Sequence, residues 1–126
     1  MKKSASVDVQ CITKIQAYIN DIRAILATDN ISSAEALKNT LSAKYATTQL
    51  ITNIYELSRK LQDDTLTALP NFNSPVLKKA RQIASHEYEA VDFRSIYSLC
   101  TQLTGETVKK ELNTCLEVCI SDAPRN

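Results

Sequence analysis

Ile12-Thr13-Lys14-Ile15-Gln16-Ala17-Tyr18-Ile19-Asn20-Asp21-Ile22-Arg23-Ala24-Ile25-Leu26 is the stretch that decides the fold class. Its large apolar residues recur at steps of three and four, the period of one helix face, with Lys14, Asp21 and Arg23 between them. The pattern predicts an amphipathic helix from about Val7 to Thr28, roughly 33 Å long, ended by Asp29 and Asn30. Ser32 with Glu35 three later has the spacing of a capping box. A second long helix is expected from Ser33 to Leu61, with Leu37, Leu41, Leu50, Ile54, Leu57 and Leu61 on one side. Its middle, Ala43, Ala46, Thr47 and Thr48, is small enough to let a neighbouring helix come close.

From Gln62 to Asn73 the period fails, and Pro70-Asn71-Phe72-Asn73 is turn chemistry, so this segment reads as the principal loop. Ser74 and Pro75 then have the residue types of an N-cap and a first helical position. Val76, Ala80 and Ile83 form an inward stripe in the third helix. Asp92 is placed to cap a fourth, with Phe93, Ile96, Tyr97, Cys100 and Leu103 on one face. Gly105 suits the left-handed residue that ends it. A fifth helix carries Val108, Leu112, Cys115 and Cys119. One glycine and three prolines in 126 residues leave few helix breakers, so the fold is expected to be all-α: a single domain (1–126), an up-down bundle of about five helices.

A formal net charge of +1 gives no global positive field, so nucleic acid would have to be held by local contacts rather than bulk electrostatics. No apolar run approaches the roughly 20 residues that span a bilayer. With no secretory signal region after Met1-Lys2-Lys3, the chain is expected to be cytoplasmic, without a membrane partner. The four cysteines, Cys11, Cys100, Cys115 and Cys119, then read as reduced, small, buried apolar side chains. Cys115 and Cys119 share a helical face, but the only histidine, His86, is distant in sequence; no metal and no cofactor is expected.

The chemically capable residues gather in Arg81-Gln82-Ile83-Ala84-Ser85-His86-Glu87-Tyr88. Histidine titrates near neutrality, and arginine is a permanent cation with a fork suited to phosphate. Together they supply a proton-transfer group and charge stabilisation, the needs of RNA cleavage without a metal. On a regular helix positions 81 and 86 stand about 140° apart, whereas Arg81, Ser85 and Tyr88 fall nearly in line. Either the helix deforms near its end, or a second copy of the chain completes the site across a two-fold axis and brings a second histidine. Lys78, Lys79, Gln82 and Ser85 are candidate supporting or RNA-contacting residues, as are the cations Arg94, Lys109 and Lys110.

These residues resemble the HepT-like HEPN proteins, toxins encoded beside a minimal nucleotidyltransferase antitoxin. The signature R-x-x-x-x-H-x-Y is met by Arg81, His86 and Tyr88 and is continued by Asp92 and the helix from Phe93 to Leu103. The helix from Lys14 to Arg23 and the segment from Leu50 to Leu61 are similar to the family's first two helices. Gln82 and Glu87 depart from residues common in the family, as does the lack of tryptophan. The resemblance implies a helical homodimer acting as a metal-independent endoribonuclease, with Arg81 and His86 catalytic. It further implies that Tyr88 is the hydroxyl to which the partner nucleotidyltransferase transfers AMP. The competing class is a non-catalytic helical subunit that binds or presents substrate to a nucleotidyltransferase.

Overall fold

The computed structural model describes residues 3–85 and 92–122, and within it the isoleucine stripe lies on α1 (Lys3–Thr28). Ile12, Ile15, Ile19 and Ile22 are all buried. The helix starts earlier than the apolar spacing indicates, and Asp8 in its second turn is fully buried. At the other end Asn30 takes φ 55°, the left-handed conformation that asparagine tolerates better than most residues. The Ile31 amide then donates to the Leu26 carbonyl at 2.8 Å and the Asn30 amide to that of Ala27 at 3.3 Å. These are the two reverse bonds of a Schellman motif, which satisfy carbonyls the helix end leaves open.

The expected second helix is two helices, α2 (Ala34–Lys38) and α3 (Leu41–Ser58). The cap of α2 is Ser33, one residue later than Ser32, and its hydroxyl accepts from the Ala36 amide at 3.1 Å. The chain breaks at Thr40, whose φ −118° and ψ 82° are not helical. That break separates two leucines the helical spacing had put on one side: Leu37 is fully buried, whereas Leu41 is 57% exposed. Released from α3, α2 packs against α6 (Phe93–Leu103).

The small middle of α3 does what small side chains allow. Ala43, Thr47 and Thr48 are buried, and the threonine hydroxyls donate to carbonyls of the preceding turn, Thr47 to Ala43 at 2.8 Å and Thr48 to Lys44 at 2.7 Å. With their polar atoms satisfied in place, they present compact surface to neighbours, and Thr47 reaches Cys100 of α6.

The expected loop contains α4 (Asp63–Thr67). Its stability comes from a residue far away in sequence. Asp8 accepts from the Gln62 amide at 3.3 Å and from Gln62 Nε2 at 3.0 Å, and it also accepts from the Thr65 hydroxyl. A carboxylate at a helix start satisfies open amides and sits favourably in the helix dipole. Asp8→Ala is therefore expected to destabilise the protein by about 1–3 kcal/mol, since buried donors lose their acceptor. Urea unfolding measures the loss; Asp8→Asn, which keeps an acceptor, should lose less.

After α4 the chain is helical again from residue 70, four residues before the expected start at Ser74. Glu111, on α7 (Glu106–Asp122), caps this start from outside: it accepts from the Asn71 amide at 2.9 Å and from the Phe72 amide at 3.0 Å. Pro75 is thus not a first-turn proline. It lies in a π-helical segment, Phe72–Val76, whose wider turn relieves the clash a proline makes inside an α-helix. The Leu77 amide bonds the Phe72 carbonyl, five residues back, and α5 (Leu77–Ala84) continues.

Asp92 caps α6 as its spacing indicates, its carboxylate accepting from the Arg94 amide at 3.0 Å. Gly105, by contrast, does not adopt positive φ. A Cβ there would lie 3.3 Å from the Thr101 carbonyl oxygen and 3.4 Å from that of Gln102, so glycine permits the close turn between α6 and α7.

The described residues hold seven α-helices and the π segment, with no strand; the all-α class is as expected, with more helices than expected. The main packing is α1 on α3 and α7, α3 on α5, and α2 on α6. First and last helices therefore meet, and the fully buried Phe72, Ile12, Ile51, Leu69, Leu99 and Leu112 belong to one core. No helix among the described residues is long and apolar enough to cross a membrane.

Candidate functional site

α5 is pinned on its inner side by Leu77, Ala80 and Ile83, all buried. Geometry then sends the polar candidates outward: Lys78, Arg81, Gln82 and Ser85, at helical steps of three and four, are all exposed. They form one solvent-facing stripe. Lys79 stands apart from it, half-buried, its ammonium donating to the Ser98 hydroxyl of α6 at 3.1 Å. Lys79 therefore ties α5 to α6.

Arg81 lies in the last turn of α5, where a cation is favoured by the helix dipole. No described residue pairs with its charge, and its five N–H donors suit an external anion. α5 ends at Ala84, with Ser85 as its C-cap; the Ser85 amide donates to the Arg81 carbonyl and its hydroxyl to that of Gln82, both at 3.1 Å. His86, Glu87 and Tyr88 lie outside the described residues.

Immediately after the motif, the start of α6 carries a basic and aromatic group that spacing alone did not reveal. Phe93 is half-buried, with Lys38 Nζ 5.3 Å and Arg94 Cζ 5.6 Å from its ring centre. Both distances suit cation–π attraction. Arg94 was a candidate from its sequence neighbourhood. Lys38 was not, because it arrives through α2, and only the break at Thr40 brings α2 onto α6. Lys109 lies elsewhere, on α7, in a cleft with Gln16, Asn20 and Arg23 of α1.

The cysteines are free and all four are buried, as expected of small apolar side chains. Burial pushes the Cys100 thiol up to about 12, partly offset by a hydrogen bond with Thr47. Burial, then neighbouring Cys119, pushes Cys115 up to about 12. Metal ligation needs thiolate, which this environment disfavours, and no group of three or more candidate ligands occurs among the described residues.

The same shifts predict a pH dependence. The neutral thiols are favoured in the fold and ionise near 9.0 once released. Their contribution to stability is whole below that pH and is lost as pH rises toward about 12. The urea midpoint is expected to fall across this window, and Cys100→Val should make the fall shallower.

Comparison with protein-family models, with curated proteins and with solved structures gave no match to this chain.

Proposed function

We propose that the chain is the toxin of a HEPN and minimal nucleotidyltransferase pair, a metal-independent endoribonuclease that works as a homodimer. The observation that carries this reading is the R-x-x-x-x-H-x-Y spacing of Arg81, His86 and Tyr88, with Arg81 exposed and without an ion pair among the described residues. The polar stripe of Lys78, Gln82 and Ser85 around it, and the Lys38, Phe93 and Arg94 group after it, suit a strand that offers phosphates and bases.

The chemistry follows from what these side chains can do. A neutral His86 takes the proton of a ribose 2′-OH as the oxygen attacks the adjacent phosphorus. The bond to the 5′ oxygen breaks, and a protonated histidine returns a proton to that leaving oxygen. Two copies of the chain supply the two histidines, one as base and one as acid. Arg81 stabilises the charge that builds on the phosphorane oxygens. The products are a 2′,3′-cyclic phosphate and a 5′-OH.

Tyr88 is the switch in this scheme. Its hydroxyl attacks the α-phosphorus of ATP on the partner nucleotidyltransferase, pyrophosphate leaves, and the attached AMP adds anionic charge and bulk where RNA would bind. The test is intact mass, with and without co-expression of a nucleotidyltransferase encoded beside the chain. Expected is a gain of whole AMP units, absent in Tyr88→Phe, with RNA cleavage present before modification and lost after it. Unchanged mass together with no cleavage in either sample would overturn the reading and favour a non-catalytic subunit.

A further inference from the structure

A cleft lies between α1 and α7, built from residues that the Arg81 to Tyr88 chemistry does not use. It has a volume of about 180 Å³. Ile19, Leu103 and Leu112 line its floor, all buried, and Arg23, Lys109 and three amide side chains line its walls. Arg23 is held firmly. One guanidinium nitrogen donates to Asn20 Oδ1 and the other to the Thr104 carbonyl at 3.0 Å, at the end of α6. Those bonds use two of its five donors.

Both acceptors are neutral, and neither Arg23 nor Lys109 makes an ion pair among the described residues. Two cations thus face one cleft, neither in an ion pair with a described residue. Between them Gln16 Nε2 donates to Asn113 Oδ1 at 2.7 Å, joining α1 to α7. That bond leaves the Gln16 carbonyl oxygen able to accept and the Asn113 amide nitrogen able to donate.

The requirements on an occupant are therefore threefold. It carries an anionic group for Arg23 and Lys109, an edge with both donor and acceptor for Gln16 and Asn113, and an apolar face for the floor. Inorganic phosphate meets only the first, and an apolar molecule only the last. We propose that this cleft binds a nucleoside monophosphate, its phosphate between Arg23 and Lys109 and its base edge on the Gln16 and Asn113 amides. The volume lies below the range of about 300–1,000 Å³ usual for drug-sized ligands, so the cleft takes one nucleotide, with part of it in solvent. This assignment is independent of the ribonuclease reading.

The experiment is an NMR titration of the full chain with GMP, UMP, guanosine and inorganic phosphate, read on the side-chain amide signals of Gln16, Asn20 and Asn113. Expected are saturable shifts of those signals with at least one nucleotide, and binding about tenfold or more weaker for guanosine and for phosphate alone. Lys109 is exposed, so Lys109→Glu tests the site without disturbing the Arg23 bond to Thr104, and it should weaken the nucleotide about tenfold, the equivalent of about 1.4 kcal/mol. No shift with either nucleotide at millimolar concentration would overturn the proposal. So would phosphate binding as tightly as the nucleotide, or an affinity unchanged by Lys109→Glu.

Discussion

Replacing His86 by alanine is expected to slow RNA cleavage by about 10²–10⁴-fold, the range a positioned acid or base contributes, and to remove growth inhibition in cells lacking the partner. Under the proposed scheme one chain's His86 acts as base and the other chain's His86 as acid, so the homodimeric variant loses both proton transfers together. A mixed dimer of His86→Ala with Arg81→Ala is informative for the same reason. Where Arg81 and His86 of one chain act as a pair, each pair in this dimer lacks one member; where they pair across the two-fold axis, one pair stays intact and the other lacks both. The measurement is the single-turnover cleavage rate of each purified form. Thermal unfolding is recorded alongside, so that loss of fold is not mistaken for loss of chemistry. A His86→Ala protein that folds normally and cleaves at the wild-type rate would remove histidine from the mechanism.

Phe72→Ala should produce the largest loss of stability, about 3–5 kcal/mol. Phe72 has no exposed surface, so its removal leaves a cavity as well as losing the transfer energy of the ring. It also begins the π segment that carries the chain past Pro75 into α5. Its backbone amide donates to Glu111, which fixes this end of the helix to α7. A domain of this size commonly has only about 5–15 kcal/mol of total stability, so the substitution removes a large share of it. Because α5 presents Arg81, activity near physiological temperature should fall with the folded fraction. Phe72→Leu fills most of the volume and should recover most of both. Urea unfolding of the three proteins checks this, and a Phe72→Ala midpoint equal to that of wild type would contradict the packing described.

The parts of the fold legible in the sequence are those governed by local periodicity. The stripe Ile12, Ile15, Ile19 and Ile22, the face Ile96, Cys100 and Leu103, and the face Val108, Leu112, Cys115 and Cys119 are all buried as their spacing requires. What periodicity missed was decided by distant partners or by single backbone angles. Apolar spacing runs through Asn39 and Thr40 without interruption, so the bend there has no signature in hydrophobicity. Gln62 to Thr67 lacks an amphipathic pattern because its start is secured by Asp8, 54 residues from Gln62. Pro75 looked like a helix start because proline inside a helix is ordinarily excluded; the π turn removes that exclusion. Gly105 suits a left-handed cap by residue type, but among the described residues the left-handed one is Asn30, and the glycine serves a close backbone approach.

At the candidate site the same division holds. The outward placement of Lys78, Arg81, Gln82 and Ser85 could be read from Ala80 and Ile83 facing inward. Lys79 belonged to the same cluster by sequence, and its bond to Ser98 depends on the packing of α5 against α6. Lys38 beside Phe93 required the break between α2 and α3, and the pairing of Arg23 with Lys109 required α1 to lie against α7. Spacing within one helix does not specify which helix lies next to it.

RNA cleavage without a metal is tested by incubating the purified chain, freed of any partner, with synthetic RNA in excess EDTA and identifying the product ends. Fragments ending in 2′,3′-cyclic phosphate and 5′-OH are expected. RNA left intact by a folded, unmodified wild-type protein would contradict metal-independent cleavage.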